Sequence, residues 1–196
     1  MNEKRKAVIS RKTRETDIQL ELNLDGIGAN DIHTGVAFFD HMLTLFAVHG
    51  FFDLSIRAKG DTDVDDHHSV EDIGICLGKA IAEALSHKGG IARYGSCYLP
   101  MDETLARVVI DISNRPYLHY NVEVKEQKIG SFDAVLAKEF FRAVSLHAGL
   151  TLHIDLLHGE NGHHIIEAIF KGFGRALKLG VTRIAISGSL SSKGCL

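Results

Sequence analysis

The chain has few cysteines: Cys76, Cys97 and Cys195, an odd number with no CxxC spacing. That excludes a disulfide framework and a thiolate zinc site, and it fits reduced thiols in a cytoplasmic protein. Charge of one sign is also missing. With a formal net charge of −3, the chain has no bulk attraction for nucleic acid or an acidic membrane face, and neither is expected as a partner. No apolar run approaches the length needed to cross a bilayer, and the basic start MNEKRKAVISRKTRETD leads into no apolar stretch, so it reads as neither signal peptide nor anchor. Hydrophobic content of 45% and charged content of 24% are those of a globular protein, which sets disorder aside. What is present in excess is histidine, with 12 residues.

The hydrophobic pattern alternates between two periods. Thr16 to Leu24 alternates as a half-buried strand, closed by a turn at Asp25-Gly26-Ile27-Gly28. Val36 to Val48 has helical spacing, and Leu54, Ile56 and Ala58 alternate again. An acidic loop from Gly60 to Asp66 precedes a helical pattern through Val70, Ile73, Leu77, Ile81 and Leu85, which Gly89-Gly90 is expected to close. The second half runs as strands at Cys97–Leu99, Leu105–Ile112 and Leu118–Val124, a helix from Phe132 to Leu146, a strand from Leu150 to Leu156, and a helix from His163 to about Leu179.

Each half therefore ends in helix, strand, turn and a helix that opens on His-His-x-x-Glu. The motif stands at His67-His68-Ser69-Val70-Glu71 and at His163-His164-Ile165-Ile166-Glu167, an offset of 163 − 67 = 96 that Glu71 and Glu167 share. His41 lies 26 residues before His67 and Glu139 lies 24 before His163, so a two-residue difference in strand and turn length makes them equivalent. This is an internal duplication with halves 1–92 and 93–196, and such halves usually pack about a pseudo-twofold axis. On a helix, residues three or four apart share a face while neighbours diverge by about 100°. The glutamate can thus share a face with either histidine, and the two imidazoles point apart. A lone His-His pair is usually surface. Two copies, each opening an amphipathic helix after a polar turn, point to two metal sites, each mixing ligands from both halves. Imidazole and carboxylate without thiolate favour manganese, iron or zinc. A metal-carrier bundle also uses Glu-x-x-His helices, but the intervening strands argue against a bundle; a dimetal hydrolase remains a second enzymatic reading. Among the other histidines, His49 could be a helix C-terminal dipole partner or a substrate contact and His153 a core residue. His147 reads as a cap, and His33, His87, His119 and His158 as loop or exposed residues.

Several segments together resemble one family: DHML at 40–43, His49-Gly50, DDHHSVED at 65–72, SNRPYL at 113–118, GENGHHIIEAIFK at 159–171 and SSKG at 191–194, with RKTRET near the start. In order and spacing they are similar to imidazoleglycerol-phosphate dehydratase over nearly the whole chain. The resemblance implies a duplicated α/β (α+β) half-domain, each half a sheet backed by helices in the manner of ribosomal protein S5 domain 2. It implies dehydration of imidazole glycerol phosphate to imidazole acetol phosphate in histidine biosynthesis, two Mn2+ per subunit holding the substrate ring as imidazolate, and a homo-oligomer, a 24-mer built from trimers, with active sites between subunits. Carried over by position, one manganese falls to His41, His68, Glu71 and His163, the other to His67, Glu139, His164 and Glu167; many relatives have histidine where this chain has Glu139. Glu15 corresponds to a substrate-contacting glutamate and is the acid/base candidate, and His49 is a further catalytic or substrate-binding candidate. Arg93, Arg115, Lys171, Ser191, Ser192 and Lys193 match substrate-binding positions, where guanidinium forks and a Ser-Ser-Lys-Gly segment suit a phosphate. Leu190 replaces the proline that commonly precedes the serines. No fused phosphatase domain is expected.

Overall fold

A computed structural model describes residues 5–86, 89–185 and 190. The first half contains β1 (Lys6–Lys12), β2 (Thr16–Asn23), β3 (Asn30–His33), α1 (Ala37–Gly50), β4 (Asp53–Gly60) and α2 (His67–Ala84). The second contains β5 (Tyr94–Met101), β6 (Thr104–Asp111), β7 (Tyr117–Asn121), the two-residue strands β8 (Lys128–Ile129) and β9 (Phe132–Asp133), α3 (Leu136–Ala148), β10 (Thr151–His158) and α4 (Gly162–Val181).

The halves share one topology. Sheet order is β1-β2-β4-β3 in the first and β5-β6-β10-β7 in the second. In each, the third and fourth positions are parallel strands joined through a helix, β3-α1-β4 and β7-α3-β10, while the other pairings are antiparallel. Alternation sets the layers. In β2 the buried Ile18, Leu20 and Leu22 alternate with exposed residues; in β6 the buried Ala106, Val108 and Ile110 alternate with half-buried or exposed ones. Each sheet turns its apolar face onto its own two helices, and the helices of one half meet those of the other, α1 on α4 and α2 on α3. The order of layers is sheet, helix pair, helix pair, sheet, as a pseudo-twofold exchange requires. Where the four helices meet, phenylalanines fill the core: Phe140 stacks on Phe170 with centroids 5.2 Å apart, and Phe46 on Phe173 at 5.3 Å.

Closest approach between helices is set by paired glycines. A Cβ on Gly174 of α4 would lie 2.6 Å from the Phe46 carbonyl oxygen of α1, and one on Gly78 of α2 would lie 2.9 Å from the Val144 carbonyl oxygen of α3. Gly78 and Gly174 are 96 residues apart, the same offset as the two His-His motifs (174 − 78 = 163 − 67).

The structure departs from the sequence reading at several places. β1 and β3 are additional strands; both lie at a sheet edge and each buries a single residue fully, Ala7 and Ile32. The helix expected from Phe132 starts at Leu136, because Phe132-Asp133 pairs with Lys128-Ile129 in a small hairpin turning at Gly130, whose φ is 61°. The strand expected to reach Val124 ends at Asn121. Helix α2 ends at Ala84, ahead of Gly89-Gly90. His119 is a strand residue, its ring tilted against that of His153 with centroids 5.3 Å apart and 3.4 Å from Asp155. His87, Cys195, Ser191, Ser192 and Lys193 lie outside the described residues.

Candidate metal and substrate site

The second His-His helix begins at a well-made cap. Asn161 takes extended dihedrals, and its side-chain oxygen accepts the backbone N–H groups of His163 (2.9 Å) and His164 (3.3 Å). In the first half Asp65 accepts the N–H of His67 at 2.8 Å. Each histidine pair thus starts from a fixed first turn and diverges. In both copies the first histidine reaches along the helix to the glutamate four residues on, His163 Nε2 to Glu167 Oε2 at 3.2 Å and His67 Nε2 to Glu71 Oε2 at 3.6 Å.

Helix α1 brings His41 onto the α4 pair. His41 Nε2 is 3.7 Å from Glu167 Oε2, and His41 and His163 rings lie 5.8 Å apart. One donor atom from each of His41, His163 and Glu167 lies within 4.8 Å of the others, the one such three-residue group among the described residues. Two imidazoles and a carboxylate converging from both halves fit a divalent metal ion such as manganese, iron or zinc. Asp40, beside His41, fixes the start of α1 by accepting the Thr34 N–H at 2.8 Å.

The α2 side is laid out in the same way. Glu139 stands on α3 where His41 stands on α1, each twelve residues before the first residue of the next strand (53 − 41 and 151 − 139). The two-residue difference lies in the turn, since β4 and β10 are both eight residues long. Glu139 pairs with Arg142 at 3.0 Å.

Within one chain the grouping differs from the one carried over by resemblance. Glu167, not Glu71, joins His41 and His163, because i,i+4 geometry seats the glutamate with the first histidine of its motif. His68 and His164 point away to acidic neighbours. His68 Nδ1 is 3.0 Å from Asp61 and its Nε2 is 3.9 Å from Glu15. His164 Nδ1 is 2.7 Å from Glu103 and its Nε2 is 3.8 Å from Asp102. Hydrogen bonding to these carboxylates raises both histidines above their ordinary value. Glu103 is held well below the usual carboxylate range, first by the Asn161 N–H and then by His164. Neither Asp61 nor Glu103 was singled out in the sequence. The missed signal was that Glu103-Thr104 opens β6 as Glu15-Thr16 opens β2.

The substrate-binding candidates divide into two regions. Lys171 lies on the cluster, half-buried, ion-paired with Glu167 Oε1 and 3.6 Å from Met101 Sδ. Burial works to raise Glu167, but Lys171 and His163 outweigh it and hold the carboxyl below its ordinary range. His49 lies two turns along α1 from His41; burial, then the positive fields of Lys171 and Arg175, push it down, so it favours the neutral form. Glu167, Lys171 and Arg175 are spaced four apart on α4, and Arg175 is a cation the sequence reading passed over.

Arg93 and Arg115 lie elsewhere. Arg93 is buried, and Asp111 takes its guanidinium fork at 2.7 and 3.0 Å. Arg115 is exposed and 3.7 Å from the same carboxylate. Asp111 and Glu103 bracket β6, roughly 26 Å apart at ~3.3 Å per residue. One chain therefore does not bring Arg93 and Arg115 to the His164 end of the sheet.

The family model of imidazoleglycerol-phosphate dehydratase matches residues 34–177. An imidazoleglycerol-phosphate dehydratase from Desulfotalea psychrophila is 71% identical over 192 residues, covering 98% of this chain and 96% of that protein. One from Acetivibrio thermocellus is 55% identical, covering 98% and 99%. The crystal structure of the Staphylococcus aureus protein superposes with a TM-score of 0.83 at 48% identity, covering 91% of this chain and 99% of the other. That from Pyrococcus furiosus gives 0.84 at 40%, covering 96% and 100%. Matched along nearly its whole length in sequence and in structure, the chain belongs to the imidazoleglycerol-phosphate dehydratase family of hydro-lyases.

Proposed function

We propose that this protein dehydrates imidazole glycerol phosphate to imidazole acetol phosphate in histidine biosynthesis, with two manganese ions per subunit. The observation that carries the metal reading is the convergence of His41, His163 and Glu167 from opposite halves. The half-built counterpart, His67 with Glu71 on α2 and Glu139 on the facing α3, is the candidate for the second ion. The proton to be lost sits on a carbon with no adjacent carbonyl, so the substrate's imidazole ring must take up the electrons. Bound manganese supplies the Lewis acidity for that role.

The chain's own groups do the rest. Glu15 is exposed at the start of β2, 3.9 Å from His68, and is the candidate to take or return a proton at the glycerol carbons. Lys171, ion-paired with Glu167, and His49, two turns along α1 from His41, are the cation and the imidazole that can hold an oxygen of the substrate. His68 and His164 are the further candidate ligands, and among the described residues neither joins a three-residue metal-ligating group of its own chain. Together with the distance of Arg93 and Arg115, this supports active sites completed between subunits of a homo-oligomer.

The deciding experiment is a dehydratase assay on chelated and manganese-loaded protein, with bound metal counted. Turnover with manganese and its loss on chelation are expected. Full activity after chelation would refute the metal, and no turnover in the loaded protein would refute the substrate.

A further inference from the structure

His68 and His164 each give Nδ1 to a carboxylate, and the two carboxylates come from different places in the duplicated fold. Asp61 follows β4 and faces His68 with both oxygens, at 3.0 and 3.2 Å from Nδ1. Its own N–H donates to the Glu15 carbonyl at 3.1 Å, which ties it to the start of β2. Glu103 precedes β6. Its Oε1 accepts N–H groups from Glu160 (3.2 Å) and Asn161 (2.9 Å) and the Thr104 hydroxyl (3.0 Å), which leaves Oε2 for His164 Nδ1 at 2.7 Å. The carboxylate is thereby clamped from the α4 turn and from its own strand at once.

A neutral imidazole has one N–H and one lone pair. A carboxylate at Nδ1 accepts the N–H, which places the lone pair on Nε2, the nitrogen facing outward. We propose that Asp61 and Glu103 are positioning residues that hold His68 and His164 as Nδ1–H tautomers with Nε2 presented to a metal ion. Glu103 and Glu15 hold duplicate places, each directly before the threonine that opens the second strand of its sheet, Thr104 in β6 and Thr16 in β2. In the second half that glutamate orients the histidine. In the first half Asp61 has taken the orienting place, and Glu15 is left free on the Nε2 side. The two copies of one position have divided two tasks between them.

This inference rests on His68 and His164 being ligands, as proposed above, and it is tested by two measurements. In manganese titrations of the whole protein, Glu103→Gln and Asp61→Asn are each expected to weaken one of two ions by about 10–100-fold. Asp61→Asn should leave the metal-free melting temperature near that of the wild type, because the Asp61 carboxylate accepts no backbone N–H group among the described residues. Glu103→Gln should lower it, because that carboxylate accepts two backbone N–H groups, so its effect is read from which ion is weakened. His164→Ala should remove the site that Glu103→Gln weakens. Wild-type affinity for both ions in both amide variants would overturn the proposal, as would an affinity loss in Asp61→Asn matched by a fall in its metal-free melting temperature. The second measurement needs no metal: 15N spectra of labelled histidine, with signals assigned through His68→Ala and His164→Ala. Nδ1–H tautomers for both are expected in the metal-free protein, and Nε2–H tautomers would overturn the inference. A wild-type protein that takes up no manganese yet shows the Nδ1–H forms would sink the metal reading and leave the orienting role of the carboxylates standing.

Discussion

Asp53, the first residue of β4, shows how much one carboxylate can hold. It accepts the Asn23 side-chain amide at 2.8 Å and the N–H groups of Ile27 and Ala29 at 2.9 and 3.2 Å, which pins the loop between β2 and β3. Burial alone would raise its carboxyl, but the three donors hold it below its ordinary value of 3.8. A folded value below the unfolded one means that the stabilisation is complete above pH 3.8 and lost as pH falls through the depressed value. Asp53→Asn is expected to cost about 1–3 kcal/mol at pH 7, with the gap to wild type narrowing below pH 3.8. Urea unfolding of both proteins at pH 7 and pH 3 checks it; an equal gap at the two values would refute it. At this scale the sequence was a good guide to which side chains matter and a poor one to their neighbours. The duplicated His-His-x-x-Glu put His163 and Glu167 on one helix face, but spacing allowed i,i+3 and i,i+4 equally, and only the packed helix seats Glu167 with the first histidine. The partnership of Glu103 with His164 spans 61 residues, so no local pattern could show it.

Between elements, the spacing of α1 and α4 decides whether His41 reaches Glu167. Gly174→Ala would drive a methyl group to 2.6 Å from the Phe46 carbonyl oxygen, so the helices must part. A loss of about 1–3 kcal/mol is expected, with weakened binding of one manganese ion and little effect on the other. Gly78→Ala should do the same to the α2–α3 site. Melting curves with metal titrations check both, and an alanine variant with wild-type stability would show that the contact is not tight. The long helices were legible from their 3.6-residue period, β2 and β4 from alternation, and β6 as a strand-like apolar run. β1 was hidden by its charges, since Lys6, Arg11 and Lys12 border a strand that buries only Ala7 fully. In β9, the buried Phe132 continued the apolar pattern of the helix that follows, while Gly130 diverted the backbone.

For the molecule as a whole, a ligand that binds only the assembled state stabilises it by mass action. At a free manganese concentration of 100 times Kd, each ion should add about 2.7 kcal/mol. Urea unfolding of metal-free and loaded protein measures this, and coincident midpoints would exclude the proposed centres. The duplication itself was readable from the 96-residue offset, because repeated function kept repeated residues. What no sequence pattern could reveal was that each half's first helix packs on the other half's second.

That crossing also governs time. His41 and Glu167 are 126 residues apart along the chain (167 − 41), so their meeting closes a very long loop and cannot come early in folding. An ion held between them acts as a removable cross-link on the last contacts made. It should therefore leave the folding rate almost untouched and slow unfolding, extending the lifetime of the assembled protein.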